Sequence, residues 1–343
     1  MALVGTLVSA LLRAESATEL NRVAAQAIER GEYAAAVAAL RRAAAQSPKD
    51  LNIQFNLGLA LFRSNRFAQA LRPLTVASAD PKLKADAMYL QGVALFNLGR
   101  LREAVEKLET LREDPKFAEN SLYLLAEGYR LLRRAPEAQQ AFTELARRYP
   151  NSPFLHKLLG MAYDYQQRYE EAKQEFMTAL KTNPKMPDLH FAIGYLHLKQ
   201  HQPEAARPWF EQELVLDPCS ARALYGLGEV ERRAGRYDQA AEYYRRATRC
   251  DAAFAEAYLG LAIVCEQQGR EADAIAMYQK VVQLNPDRAA ARYRLARLLA
   301  QAGRQAEARE HFARVKDVQA ARLESAVESL QSREGLSVVL VPK

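Results

Sequence analysis

Apolar side chains recur along the chain at spacings of three and four residues, which places them on one side of an α-helix. Leu122, Leu125, Ala126 and Tyr129 form one such stripe. A turn follows each stripe, often the dipeptide Gly-Arg, and a second amphipathic stretch then runs, in most units, to a proline. The pattern predicts pairs of amphipathic helices along most of the chain.

These pairs repeat with a fixed period of 34 residues. An alanine recurs nine times at this interval: Ala36, Ala70, Ala104, Ala138, Ala172, Ala206, Ala240, Ala274 and Ala308. A large side chain follows each alanine by four residues: Leu40, Leu74, Leu108, Phe142, Phe176, Phe210, Tyr244, Tyr278 and Phe312. A very small residue precedes each by twelve: Ala24, Gly58, Gly92, Ala126, Gly160, Gly194, Gly228, Ala262 and Ala296. Since a glycine inside a helix costs about 1 kcal/mol relative to alanine, we expect these glycines to allow close packing, glycine against alanine.

The phased small residue, alanine, large residue and terminal proline resemble the tetratricopeptide repeat over residues 17–322, as nine units. The resemblance implies an all-α fold, a right-handed superhelical solenoid of antiparallel helix pairs. Residues 1–16 are an apolar segment that reads either as a signal peptide or as a cap helix. Residues 323–343 are expected to form a C-terminal capping helix and an apolar tail.

An array of this kind implies a concave face that binds an extended protein segment. A second stripe on the first helix of each unit, at repeat positions 2, 5, 9 and 12, is expected to line that groove. The candidate groove residues are Asn52, Phe55, Asn56, Phe62, Tyr89, Phe96, Tyr123, Phe154, Lys157, Phe191, Tyr195, Tyr225 and Tyr293. The alternative, that neighbouring repeats bury these rings, stays open. If the rings line the groove, changing Tyr89, Tyr123 and Tyr225 together to alanine abolishes partner capture and leaves melting almost unchanged; unfolding would show that they are core.

Some members of this family grip a peptide C-terminus with a clamp of lysine and asparagine at fixed first-helix positions. Asn56 matches one clamp asparagine, but Leu90, Leu124 and Leu158 occupy the corresponding positions of the following units, so the clamp is incomplete. We therefore expect Asn56 to be a single polar groove residue.

Composition and charge add a second class of partner. The 343 residues are 49% hydrophobic and 26% charged, which is typical of a globular chain, and the formal net charge is +7. Residues 221–322 hold 18 Lys and Arg against 13 Asp and Glu. Single-stranded nucleic acid is thus an alternative partner, because arginines with stackable tyrosines suit it. The basic residues are Arg222, Arg232, Arg233, Arg245, Arg246, Arg249, Arg292, Arg294 and Arg297, with Tyr225, Tyr243, Tyr244 and Tyr293 between them.

Sequence motifs for catalysis are missing: the chain has no phosphate-binding loop, nucleophile elbow, HExxH or CxxC. His190, His197 and His201 share a helix side, but a buried, hydrogen-bonded pair explains the first two better than a metal site. We predict no enzyme activity, no cofactor and no metal.

Localisation and cysteine state are also predicted from sequence. Cys219, Cys250 and Cys265 are expected to be reduced and structural. No lysine or arginine precedes the apolar run MALVGTLVSALL, which favours the cytoplasm. The alternative is a periplasmic or secreted protein after signal-peptide cleavage.

Overall fold

The computed structural model describes the backbone of residues 16–339 and the side chains of residues 16–321, 323 and 324. Within these residues the chain forms eighteen α-helices and no strand. The all-α class predicted from the repeat is therefore confirmed. The apolar segment 1–16 lies, apart from Ser16, outside the described residues.

The helices form consecutive pairs, and each repeat holds a first and a second helix. Repeats 1 to 4 contain α1 (Ala17–Glu29), α2 (Tyr33–Gln46), α3 (Leu51–Arg63), α4 (Phe67–Ala77), α5 (Lys84–Asn97), α6 (Leu101–Glu109), α7 (Ala118–Leu131) and α8 (Ala135–Arg148). Repeats 5 to 9 contain α9 (Pro153–Tyr165), α10 (Tyr169–Thr182), α11 (Leu189–Lys199), α12 (Pro203–Leu216), α13 (Ala221–Arg233), α14 (Tyr237–Cys250), α15 (Ala255–Gln267), α16 (Glu271–Leu284), α17 (Ala289–Gln301) and α18 (Gln305–Val339).

The described chain divides into two compact units between Leu159 and Gly160, inside α9. We call the described residues up to Leu159 unit 1 and those from Gly160 onward unit 2. In each unit consecutive helices pack against each other. First helices of neighbouring repeats also touch, as α3 and α5 do in unit 1 and α13 and α15 do in unit 2.

The turn between the two helices of a repeat uses a left-handed residue, as the Gly-Arg dipeptides predicted. In repeat 7 Gly235 has a φ of 74°, and the N–H of Arg236 donates to the carbonyl of Glu231 at 2.9 Å, which closes the end of α13. His201 takes the glycine position of repeat 6 with a φ of 59°. The helical turn is thus kept even where the glycine is replaced.

Each phased glycine packs against the large residue of its own repeat. A Cβ built on Gly228 would stand 2.4 Å from the ring of Tyr244, and one on Gly160 would stand 2.4 Å from Phe176. The close approach predicted for these glycines is present, but the group that each meets first is the large side chain; the alanine is met at Gly92, where an added Cβ would stand 3.7 Å from the carbonyl oxygen of Ala104. The glycine makes room for the bulky side chain four residues beyond the alanine, and that side chain fills the space between the helices.

Two of the three cysteines form a disulfide, so the expectation that all three are reduced is wrong. Cys219 lies in the turn before α13, and Cys250 is the last residue of α14. Their Cα atoms are 5.4 Å apart. The antiparallel pairing of α13 and α14 brings these ends together although 31 residues separate them in sequence. Cys265 is free and buried.

The last helix is much longer than the others. It runs without a break from Gln305 to Val339, so residue 323, the predicted start of the capping helix, lies inside it. Residues 340–343 lie outside the described residues. None of the helices in residues 16–339 combines the length and hydropathy needed to span a bilayer.

Candidate functional site

The candidate groove residues all lie on first helices, and we call the surface formed by their repeat positions 2, 5, 9, 12 and 13 the first-helix face. Neighbouring first helices touch within each unit, as α1 does with α3 and α11 does with α13. The first-helix face is therefore continuous over repeats 1 to 4 in unit 1 and over repeats 6 to 8 in unit 2.

At the start of unit 1 the predicted residues are largely engaged with the protein itself. Phe55 and Phe62 are half-buried and pack against the hydrophobic core of the first repeats. The Asn56 amide donates to Asn21 Oδ1 at 2.9 Å. Asn52 is exposed at the beginning of α3. Asn56 thus joins two neighbouring first helices.

The tyrosines of repeats 3 and 4 are covered by the repeat that follows each of them. Tyr89 stacks on Phe117 with ring centroids 4.5 Å apart, and burial raises the pKa of its hydroxyl group. Tyr123 packs on Phe154 at 5.1 Å, with Lys157 Nζ 5.8 Å from its ring. These rings are half-buried in the packing between repeats.

Phe96 is also half-buried, at position 12 of repeat 3. It faces Gly128 of the next first helix, where an added Cβ would meet its ring at 3.6 Å. Phe96 therefore belongs to the contact between α5 and α7.

In unit 2 two predicted aromatics are covered in the same way. Phe191 is 6% exposed, and the guanidinium of Arg222 lies 4.2 Å from its ring centroid. Tyr225 is half-buried against Phe254, the residue before the next first helix, at 5.7 Å. The side chain at the start of the next repeat thus covers the position-5 ring.

Two predicted rings of unit 2 remain open. Tyr195 is 38% exposed and Tyr293 is 52% exposed. Lys199 Nζ lies 5.2 Å from the centroid of Tyr195, and the edge of Tyr293 meets Phe312 at 5.7 Å. The sequence left open whether the candidate rings line a groove or are buried by neighbouring repeats. Most of them pack between repeats, and these two tyrosines face outward.

Ion pairs surround the exposed tyrosines. On the first-helix face of unit 2 each acidic side chain has a basic partner: Asp164 with Lys199 (2.7 Å), Asp188 with Arg222 (3.0 Å), Glu229 with Arg232 (2.7 Å), Glu256 with Arg288 (3.1 Å), and Glu266 with both Arg294 (3.1 Å) and Arg297. Exposed tyrosine rings and paired charged side chains therefore lie near each other on the first-helix face of unit 2.

On the first-helix face of unit 2, two carboxylates bonded to buried tyrosines are missing from the sequence-based candidates. Tyr244 Oη donates to Glu229 at 2.5 Å, and Tyr278 Oη donates to Glu266 at 2.8 Å. Burial opposes ionisation of Glu229, but hydrogen bonds from Arg232 and Tyr244 outweigh it, so its pKa falls below the usual range. The signal was present: a buried tyrosine, unlike phenylalanine at the same position, needs an acceptor for its hydroxyl group.

The arginines considered for nucleic-acid binding are mostly committed to protein groups. Arg245 and Arg249 share Glu242 on the second helix α14, while Arg233 donates to the carbonyl of Leu198. Arg292 is buried and donates to the carbonyl of Pro286. These arginines and tyrosines therefore do not form a continuous surface across repeats 7 to 9.

The three histidines occupy separate environments. His190 is part-buried between Trp209 and Glu213, and burial lowers its pKa. His197 Nδ1 is 2.8 Å from Gln202 Oε1, and His201 forms the turn. The part of the chain that the structure describes holds no group of three or more His, Cys, Asp or Glu residues placed for a metal.

Comparisons with known proteins give two kinds of similarity. Models of the tetratricopeptide repeat match residues 157–221, 216–253 and 225–287 with one version and residues 267–333 with another. Residues 3–159 match the model described as "T7SS, ESX-1 secretion system protein EccA1, N-terminal domain". No curated protein matches the chain in sequence.

Solved structures resemble the fold. A chain of the APC/C hetero-tetramer Cut9-Hcn1 aligns with a TM-score of 0.64 and 15% identity, over 82% of this chain and 56% of that one. Two structures of MamA align with TM-scores of 0.42 and 0.41 and identities of 22% and 21%; they cover 48% and 50% of this chain, and 97% and 94% of their own.

Proposed function

Because the chain belongs to the tetratricopeptide repeat family, we propose that it is a non-enzymatic protein-interaction scaffold whose first-helix face in unit 2 binds a segment of a partner protein. One observation carries the proposal. Tyr195 and Tyr293 stay exposed while the other candidate rings of unit 2, Phe191 and Tyr225, are covered by the next repeat.

Exposed tyrosines flanked by charges are suited to protein recognition. A tyrosine ring buries a large apolar area on binding with little loss of side-chain entropy, and its hydroxyl group adds a directed hydrogen bond. The ion pairs around Tyr195 hold Lys199 and Asp164 in place, so few side chains need to be ordered when a partner arrives.

The second helices also expose apolar side chains and so provide a control surface. Met177 on α10 is 45% exposed and Val215 on α12 is 81% exposed. Leu216, next to Val215, is 39% exposed. Scattered apolar side chains of this kind are usual on protein surfaces and carry no functional meaning by themselves.

Photo-crosslinking distinguishes the two surfaces. Benzoylphenylalanine is placed at Tyr195 or Tyr293 in one set of proteins and at Met177 or Val215 in the other, each in the full chain. Irradiation in extract from the native cell is expected to give discrete protein adducts from the first set and none from the second. Equal adducts from both sets would contradict a binding role for the first-helix face.

A further inference from the structure

One carboxylate on the first-helix face of unit 2 has two guanidinium partners. Four carboxylates there, those of Asp164, Asp188, Glu229 and Glu256, each have a single basic partner. Glu266 has two, because Arg294 and Arg297 of the next first helix both bond to it. Arg233, at position 13 of repeat 7, donates instead to the carbonyl of Leu198. Among the described residues of this face, Glu266 is therefore the carboxylate that holds a pair of guanidinium groups, and this pair carries one positive charge more than the carboxylate balances.

The carboxylate of Glu266 accepts hydrogen bonds from both arginines and so fixes their positions. Its side chain is 14% exposed and also accepts a hydrogen bond from Tyr278 Oη. The side chains of Arg294 and Arg297 are 45% and 49% exposed. A guanidinium has five N–H donors, and among the described residues the protein's acceptors engage one nitrogen of each. The remaining donors of a pre-oriented pair are available to a ligand.

An exposed apolar ring lies beside the arginine pair. Tyr293 is one helical turn before Arg297, so the two side chains share one side of α17. The contact of its edge with Phe312 fixes the ring, and about half of it stays open. The site thus offers two guanidinium groups and one aromatic surface next to each other.

We propose that Arg294, Arg297 and Tyr293 form an acidic-peptide subsite, which binds an Asp or Glu side chain of the partner next to an apolar residue. The partner carboxylate bridges the outward N–H groups of the two arginines and restores the charge balance. The apolar residue packs on Tyr293. The inference rests on the proposed function and names the chemistry of the segment bound.

The test uses three fluorescein-labelled ten-residue peptides that alternate leucine with glutamate, glutamine or lysine. Fluorescence anisotropy with the full chain is expected to show at least tenfold tighter binding of the glutamate peptide than of the glutamine peptide, and none of the lysine peptide. Similar affinities for the glutamate and glutamine peptides would overturn the inference.

Variants locate the binding. R294Q/R297Q is expected to weaken glutamate-peptide binding at least tenfold. R245Q/R249Q removes the same charge from a pair that shares Glu242 on α14, and binding should stay within twofold. If the double variant does not fold, R297Q alone provides the test, because Arg294 and Tyr278 still donate to Glu266 in that variant. R297Q should weaken glutamate-peptide binding at least fivefold. An equal loss in R245Q/R249Q would point to general electrostatic attraction and overturn the subsite.

Other outcomes separate this inference from the proposed function. Tighter binding of a labelled twenty-residue oligothymidine than of the glutamate peptide, abolished by R294Q/R297Q, would replace the acidic peptide with nucleic acid. Crosslinks at Tyr195 and Tyr293 to a partner segment without Asp or Glu would overturn the subsite and leave the binding face intact. Absence of those crosslinks contradicts the binding face itself.

Discussion

Tyr244 sits at the centre of a tightly packed contact between two repeats. Its side chain is fully buried between Gly228 of its own repeat and Gly260 of the next, where a Cβ would stand 2.4 Å and 2.6 Å from ring atoms. Phe210 is held in the same way one repeat earlier, between Gly194 and Gly226. One bulky residue therefore joins three helices, and the glycines provide the space for it.

Replacing Gly228 with alanine should destabilise the protein by overpacking. The added methyl group would displace the Tyr244 ring, and we expect G228A to lower the unfolding free energy by about 1–3 kcal/mol. Urea denaturation measures this change. The matched comparison is A262G at the same phase of repeat 8, where no ring is displaced and we expect a loss of about 1–2 kcal/mol from helix propensity and the missing buried methyl group. A G228A protein as stable as the wild type would show that the ring has room to move.

The hydroxyl group of Tyr244 should matter more than that of Tyr278. Y244F leaves the buried Glu229 with Arg232 alone, and we expect it to cost about 1–2 kcal/mol. Y278F should cost less, because Glu266 keeps Arg294 and Arg297. Urea denaturation of both variants at pH 7 provides the comparison. Equal losses, or a larger loss in Y278F, would contradict this account of the two carboxylates.

At the scale of elements, repeat 7 is the helix pair with a covalent link. The disulfide joins the turn before α13 to the end of α14, and thus encloses both helices of the repeat. Because the link closes a loop in the unfolded chain, it lowers the entropy of that state and favours the folded one. Repeat 7 also supplies Glu229 and Arg232 to the first-helix face.

Thiol counting tests the disulfide directly. Unfolded protein without reductant should show one reactive thiol, that of Cys265, and three after reduction. C219S/C250S should lower the unfolding free energy by about 2–4 kcal/mol, whereas C265A leaves the link intact. Three thiols without reductant in protein purified under oxidising conditions would contradict the pairing.

At the scale of the whole molecule, buried and half-buried carboxylates make stability dependent on pH. The pKa values of Glu144, Glu229 and Glu231 are all lowered: burial opposes ionisation, but hydrogen bonds from two partners on each carboxylate outweigh it. These carboxylates belong to both units, so the effect is distributed along the chain.

Acid should therefore weaken the fold. A carboxyl group whose pKa is lower in the folded state stabilises that state at pH values above the unfolded pKa, here the usual 4.5. The contribution is lost as the pH falls through the lowered folded value. Urea denaturation at pH 7, 5, 4 and 3 should show a modest loss of stability below about pH 6.5, because burial opposes protonation of His190, and a steeper loss below about pH 5 as these carboxylates are protonated. Equal stability at pH 7 and pH 3 would contradict the assigned pairs.

The exposure of the candidate residues could be predicted only in part. The sequence placed Tyr195 and Tyr293 on the first-helix face, and both are exposed. It placed Phe191 there too, but Arg222 and Phe210 cover that ring. Repeat position identifies the side of the helix on which a residue lies. It does not identify the side chain of the next repeat that lies across it.

The sequence by itself determined the repeat, the helix pairs and the phase of the buried positions, because a 34-residue period of small and bulky residues can be buried in only one helical register. The tertiary structure decided which rings stay exposed, which carboxylate holds two arginines and which cysteines pair. Those contacts join residues about one repeat apart. These contacts depend on which residues of neighbouring helices lie side by side. The order of residues along the chain does not give the distances between helices.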